Sequence, residues 1–156
     1  MTDPAETDTV ALFTPIPNGK VLAAVCALNG IHGRVLETSA GAFAVIDDTS
    51  EGSTDKAGEV ISGFVKDRPI LALERRAGQI TVTRWERGVA KEKLAPGFAL
   101  DDAPGAVVSL MTGSQTIDEL AATHPDKVFD ARMGRMKAFR ELRKLSKQAQ
   151  REAQQG

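Results

Sequence analysis

Tyrosine is absent from this chain, tryptophan and cysteine occur once each, and histidine occurs twice. A lone Cys26 has no partner for an intrachain disulfide, which excludes a disulfide scaffold and points to a reducing compartment or to indifference to redox. With so few histidines and cysteines, no zinc-type ligand spacing can be assembled. No apolar run approaches the ~18 residues of a membrane span, and the first ten residues, MTDPAETDTV, are acidic and polar where a signal peptide would be basic and then apolar. The expectation is a cytoplasmic protein that makes no membrane contact.

Chemical motifs are equally scarce. GSTDKAGE lacks the spacing and the Gly-Lys-Ser/Thr ending of a phosphate loop. The adjacent acids Asp47-Asp48 and Asp101-Asp102 lack the flanking oxygen donors of a calcium loop. Cys26 falls on the apolar side of a helix, His32 follows a helix-ending Asn-Gly, and His124 precedes Pro125, so none sits in a nucleophile–base pattern. No catalytic residue, metal site or cofactor is assigned, and a non-enzymatic protein is expected.

What the chain does have is enough apolar material for a core and a lopsided charge. Of 156 residues, 42% are hydrophobic and 26% are charged, which suits one globular domain with an appendage. The formal net charge is only −1. Residues 1–126 nevertheless carry 11 cationic and 18 anionic side chains, a net of −7, while residues 127–156 carry 9 and 3, a net of +6. An acidic body with a basic end hints at an anionic partner.

Hydrophobic periodicity gives the organisation. Residues 1–7 read as a flexible lead-in. TVALFTPI (9–16) reads as a buried strand. Asn18 is placed to cap a helix carrying Val21, Leu22, Val25 and Leu28, ended by Asn29-Gly30. GRVLETS and AFAVIDD follow as two strands about a turn at Gly41. Ala57, Val60, Ile61, Phe64 and Val65 mark a second helix ending before Pro69, and ILALERR and QITVTRWER form a hairpin at Ala77-Gly78. This βαββαβ order plus an extra strand predicts an α+β, ferredoxin-like antiparallel sandwich over 8–87, with helices on one face.

Residues 88–115 read as a connecting loop with at most one short element at AVVSLM. Residues 116–156 read as a helical C-terminal arm, opened by a capping box from Thr116 to Glu119. Pro125 is expected to start its second, longer helix, which Val128, Phe129, Met133, Met136 and Phe139 would anchor to the body.

Two binding surfaces compete. RNA-recognition domains share the expected topology and stack bases on sheet aromatics, but GAFAVIDD keeps only Phe43 of the aromatics that their third strand needs. Phe13 and Phe43 are therefore expected in the core. Residues 15–37, PIPNGKVLAAVCALNGIHGRVLE, resemble in outline the start of amino-acid-binding ACT domains, and that resemblance implies a ligand carboxylate on the backbone amides of Asn18 and Gly19. An N-cap and a turn glycine explain both residues equally well.

The other surface is the basic end. On a helix, Lys137, Arg140, Lys144, Lys147 and Arg151 share one stripe, opposite a seam of Ala138, Leu142, Leu145 and Ala149. The stripe suits nucleic acid or the ribosome, an acidic protein, or self-association through the narrow seam. Nucleic acid or ribonucleoprotein is the expected partner, and a small-ligand-sensing or homo-oligomeric domain with a purely structural tail is the alternative.

Overall fold

The computed structural model describes residues 8–155, with side-chain surroundings through Glu152; the expected lead-in at 1–7 lies outside the described residues. Its elements are β1 (Thr9–Phe13), α1 (Gly19–Leu28), β2 (Gly33–Thr38), β3 (Gly41–Ile46), α2 (Ser53–Phe64), β4 (Ile70–Arg76), β5 (Gln79–Glu86), β6 (Val89–Leu94), α3 (Pro96–Asp101), α4 (Gly105–Thr112), α5 (Ile117–Thr123), β7 (Val128–Asp130) and α6 (Arg135–Gln155). The class is α+β. One antiparallel sheet has the order β6-β5-β4-β1-β3-β2-β7.

The local signals at the start of the chain act as chemistry requires. Asn18 Oδ1 accepts the Lys20 N–H at 2.9 Å and opens α1. Ala77-Gly78 and Arg87-Gly88 both have positive φ, as a two-residue turn between twisted antiparallel strands demands. Thr116 Oγ1 accepts the Glu119 N–H at 3.1 Å and starts α5.

β1 lies in the middle of the sheet and is buried on both faces. Val10 and Leu12 point into one core with Leu22, Val35, Ile61, Ile70 and Trp85, under α1 and α2. Ala11 points the other way, into a second core with Phe43, Leu73, Val82, Val107, Leu110 and Met111, under α4 and α5. Helices therefore cover both faces of the sheet, where one face was expected. An all-apolar strand such as VALF is the sequence form of that double burial.

The strand order also departs from a ferredoxin-like sheet with one extra strand. β5 and β6 extend one edge beyond β4, and β7 extends the other beyond β2. Residues 88–115, expected as a connecting loop, hold β6, α3 and α4. β6 (VAKEKL) is a polar edge strand, exposed along nearly its whole length, so it shows no apolar alternation; the Arg84 guanidinium donating to both oxygens of Glu92, at 2.7 and 3.0 Å, ties it to β5.

Pro125 does not begin a helix. α5 ends at Thr123, and residues 128–130 form β7 on the open edge of β2, with Glu37 N–H donating to Lys127 O and Ala131 N–H to Gly33 O. Helical spacing in this stretch loses to strand pairing with an otherwise bare edge. The C-terminal segment consequently belongs partly to the body: Ala131, Phe129 and Leu142 join the first core.

The junction between β7 and α6 is pinned by an ion pair. Arg132 donates to both carboxylate oxygens of Asp47 at 2.8 Å each. That hydrogen bond, more than Arg132's charge, holds the Asp47 carboxyl below the usual carboxylate range. A depressed folded value means that the pair stabilises the fold above the ordinary range and stops doing so as pH falls through Asp47's lowered value. Both side chains are more than a third exposed, so the contribution is small. Melting curves of Arg132→Ala and the parent chain should differ slightly at neutral pH and converge in acid.

Candidate nucleic-acid interface

α6 is built from a sequence that can bury only one narrow seam. Ala138 is fully buried, Leu142 is half-buried against the first core, and Leu145 is half-buried, as α6 lies along α1. From Ser146 to Glu152 every residue is exposed, Ala149 included. The last turns thus project past the body. The seam expected to run through Ala149 is covered only as far as Leu145.

On the outer side stand Lys137, Arg140, Lys144, Lys147 and Arg151, joined by Arg143, while Arg135 turns its guanidinium toward Gly30 at the end of α1; all seven are exposed. Lys137, Arg140, Arg143, Lys144 and Lys147, with Glu141, line one open hollow along the helix. Among the described residues, none of these seven cations has a carboxylate within ion-pair distance. The arginines of the sheet and its margins contrast with them. Arg34 pairs with Asp118, Arg76 with Asp8 and Glu74, Arg84 with Glu86 and Glu92, and Arg132 with Asp47.

Two apolar residues expected to anchor the arm do the opposite. Met136 is 80% exposed and Phe139 is 57% exposed. Both lie on the outer side of α6, because the inner side is already filled by Ala138 and Leu142. Val128 and Phe129 do contribute to the cores, but from β7.

The other candidate site is closed. The Gly19 N–H, expected to meet a ligand carboxylate, donates at 2.9 Å to Glu37 Oε2, so a carboxylate of this chain occupies the N-terminus of α1. A Cβ at Gly19 would come within 2.6 Å of the Phe129 ring, so the glycine admits the cover of β7. Asn18 is engaged as the cap.

The aromatic pair on the sheet packs with the second core, Phe13 half-buried at its edge. Phe13 and Phe43 are register partners with ring centroids 6.2 Å apart, and Phe43 is fully buried in the second core beneath α4. Cys26 is buried, and desolvation pushes its thiol up to about 12, which keeps it protonated. Asp48 accepts the Ser50 N–H at 2.9 Å. Among the described residues no group of three or more His, Cys, Asp or Glu side chains could hold a metal. No described helix is long and apolar enough to cross a membrane.

What sequence patterns missed at the site is Phe139, an apolar residue at helical spacing that normally signals core, and the pairing state of every other cation, which depends on tertiary neighbours. No protein-family model matches this chain, and no curated protein or solved structure shows significant similarity to it.

Proposed function

We propose that this chain is a non-enzymatic interaction protein of the cytoplasm that binds nucleic acid, free or within a ribonucleoprotein, along the outer face of α6. The observation that carries the reading is the set of seven exposed α6 cations that have no carboxylate partner among the described residues, on a chain that pairs so many of its other arginines. Cations held without internal carboxylates keep their full charge for phosphates, and release of condensed counterions supplies the affinity. The acidic body repels the same polyanion, which confines contact to the helix. A ligand-sensing role through Asn18 and Gly19 has less support, since Glu37 fills that position.

The test is binding of a labelled oligonucleotide to the full chain and to a variant with Lys137, Arg140, Lys144 and Lys147 changed to Gln. The logarithm of affinity should fall with the logarithm of salt less steeply in the variant, by about 3 in slope, and affinity at low salt should drop by about two orders of magnitude. An identical salt dependence for the two proteins would remove α6 as the interface. All four side chains are exposed, so the variant's melting temperature should stay close to that of the parent.

A further inference from the structure

The arrangement on α6 goes further than charge. Phe139, Arg143, Lys147 and Arg151 recur at every fourth position and so form one ridge, about 18 Å long, on the exposed side of the helix. Phe139 stands one turn before Arg143 on this ridge with 57% of its surface exposed, and Met136, 80% exposed, stands on the adjacent row with Arg140 and Lys144. A cationic ridge for duplex phosphates has no use for an open phenyl ring, because paired bases keep their faces stacked inside the helix. Unpaired bases offer those faces, and an open aromatic ring followed by cations along the same ridge is a surface on which they stack.

We infer that α6 selects single-stranded over double-stranded nucleic acid, with Phe139 stacking on an unpaired base while Arg143 and Lys147 hold the adjoining phosphates. This rests on the proposed function of α6. It adds the class of lattice and a residue that carries no charge. Selectivity comes from the difference between two contributions. Phosphate contacts are available on either lattice, whereas base stacking is available only on a single strand, so losing the ring should affect one lattice alone.

The experiment compares full-length protein with Phe139→Ala and Phe139→Trp, using labelled oligo(dT) of roughly 20 nucleotides and a duplex of the same length, at a fixed low salt concentration. Phe139→Ala should weaken single-strand binding about tenfold, leave duplex binding within about twofold, and be restored by Phe139→Trp. Single-strand affinity unchanged in Phe139→Ala, or an equal loss on both lattices, overturns the inference. In those cases the glutamine variant still reports on α6 as an interface. If the parent chain binds neither oligonucleotide but does bind vesicles rich in phosphatidylserine, and Phe139→Ala loses them, both the inference and the reading beneath it fail in favour of a membrane surface.

Discussion

Replacing Arg75 with Ala should destabilise the protein by about 3 kcal/mol, while the same change at its neighbour Arg76 should cost well under 1 kcal/mol. Arg75 is only 4% exposed. From β4 its guanidinium donates to the carbonyls of Met111 at 2.8 Å and Leu110 at 3.2 Å, and to Thr9 Oγ1 at 2.9 Å. Both carbonyls lie in the last turn of α4, where the helix dipole is negative; Leu110 O also accepts the Gly113 N–H at 3.3 Å, whereas Met111 O relies on the guanidinium. Removing the side chain leaves the Met111 carbonyl without its donor, takes one of two donors from Leu110, and opens a cavity beside Met111. Arg76 is partly exposed, and its pairs with Asp8 and Glu74 are of the kind that solvent largely replaces. Urea unfolding of the two variants provides the comparison, and equal midpoints would mean that α4 does not depend on Arg75.

Gly33→Ala should be as damaging, again by about 3 kcal/mol, though the cause is space and not conformational strain. A Cβ at this first residue of β2 would sit 2.0 Å from the Val45 carbonyl oxygen and 3.0 Å from Ile46 Cα. Both are backbone atoms of β3, so relief requires moving the strand. The Gly33 carbonyl also accepts the Ala131 N–H, which means that a displaced β2 loosens β7 as well. Gly63→Ala is the control, since nothing lies within 4 Å of the Cβ it would add. A Gly33→Ala variant that melts with the parent would refute the close approach.

Much of the first half of the fold was legible because each element there is specified locally. Asn18 caps α1, Ala77-Gly78 turns a hairpin, and Ile80 and Val82 face away from Thr81, Thr83 and Trp85 by strand alternation, with Val82 in one core and Trp85 in the other. The elements that were missed are specified by neighbours. β6 is held by pairing with β5 and by the Arg84–Glu92 contact, and β7 is held by the bare edge of β2; neither carries a period of its own. Arg75 was hidden because ILALERR places two arginines side by side and nothing local says which one is buried. The cations of α6 were legible from spacing alone. Their lack of partners, and the exposure of Phe139, follow only from what the rest of the chain leaves uncovered.

The projection of α6 past Leu145 has a consequence for how a ligand would be held. The turns packed through Ala138 and Leu142 already meet the cost of nucleating the helix, so the later residues lie in the regime where each added hydrogen bond barely outweighs the backbone freedom it removes. Lys147 and Arg151 repel each other there, and Lys144 one turn before repels Lys147, which tilts that balance toward coil. A polyanion laid along them reverses the tilt, and binding and helix growth become one cooperative event. With the polyanion present, helicity of the C-terminal turns then becomes a gauge of occupancy, falling together with affinity as salt releases the ligand; without it, salt screens the repulsion and helicity rises.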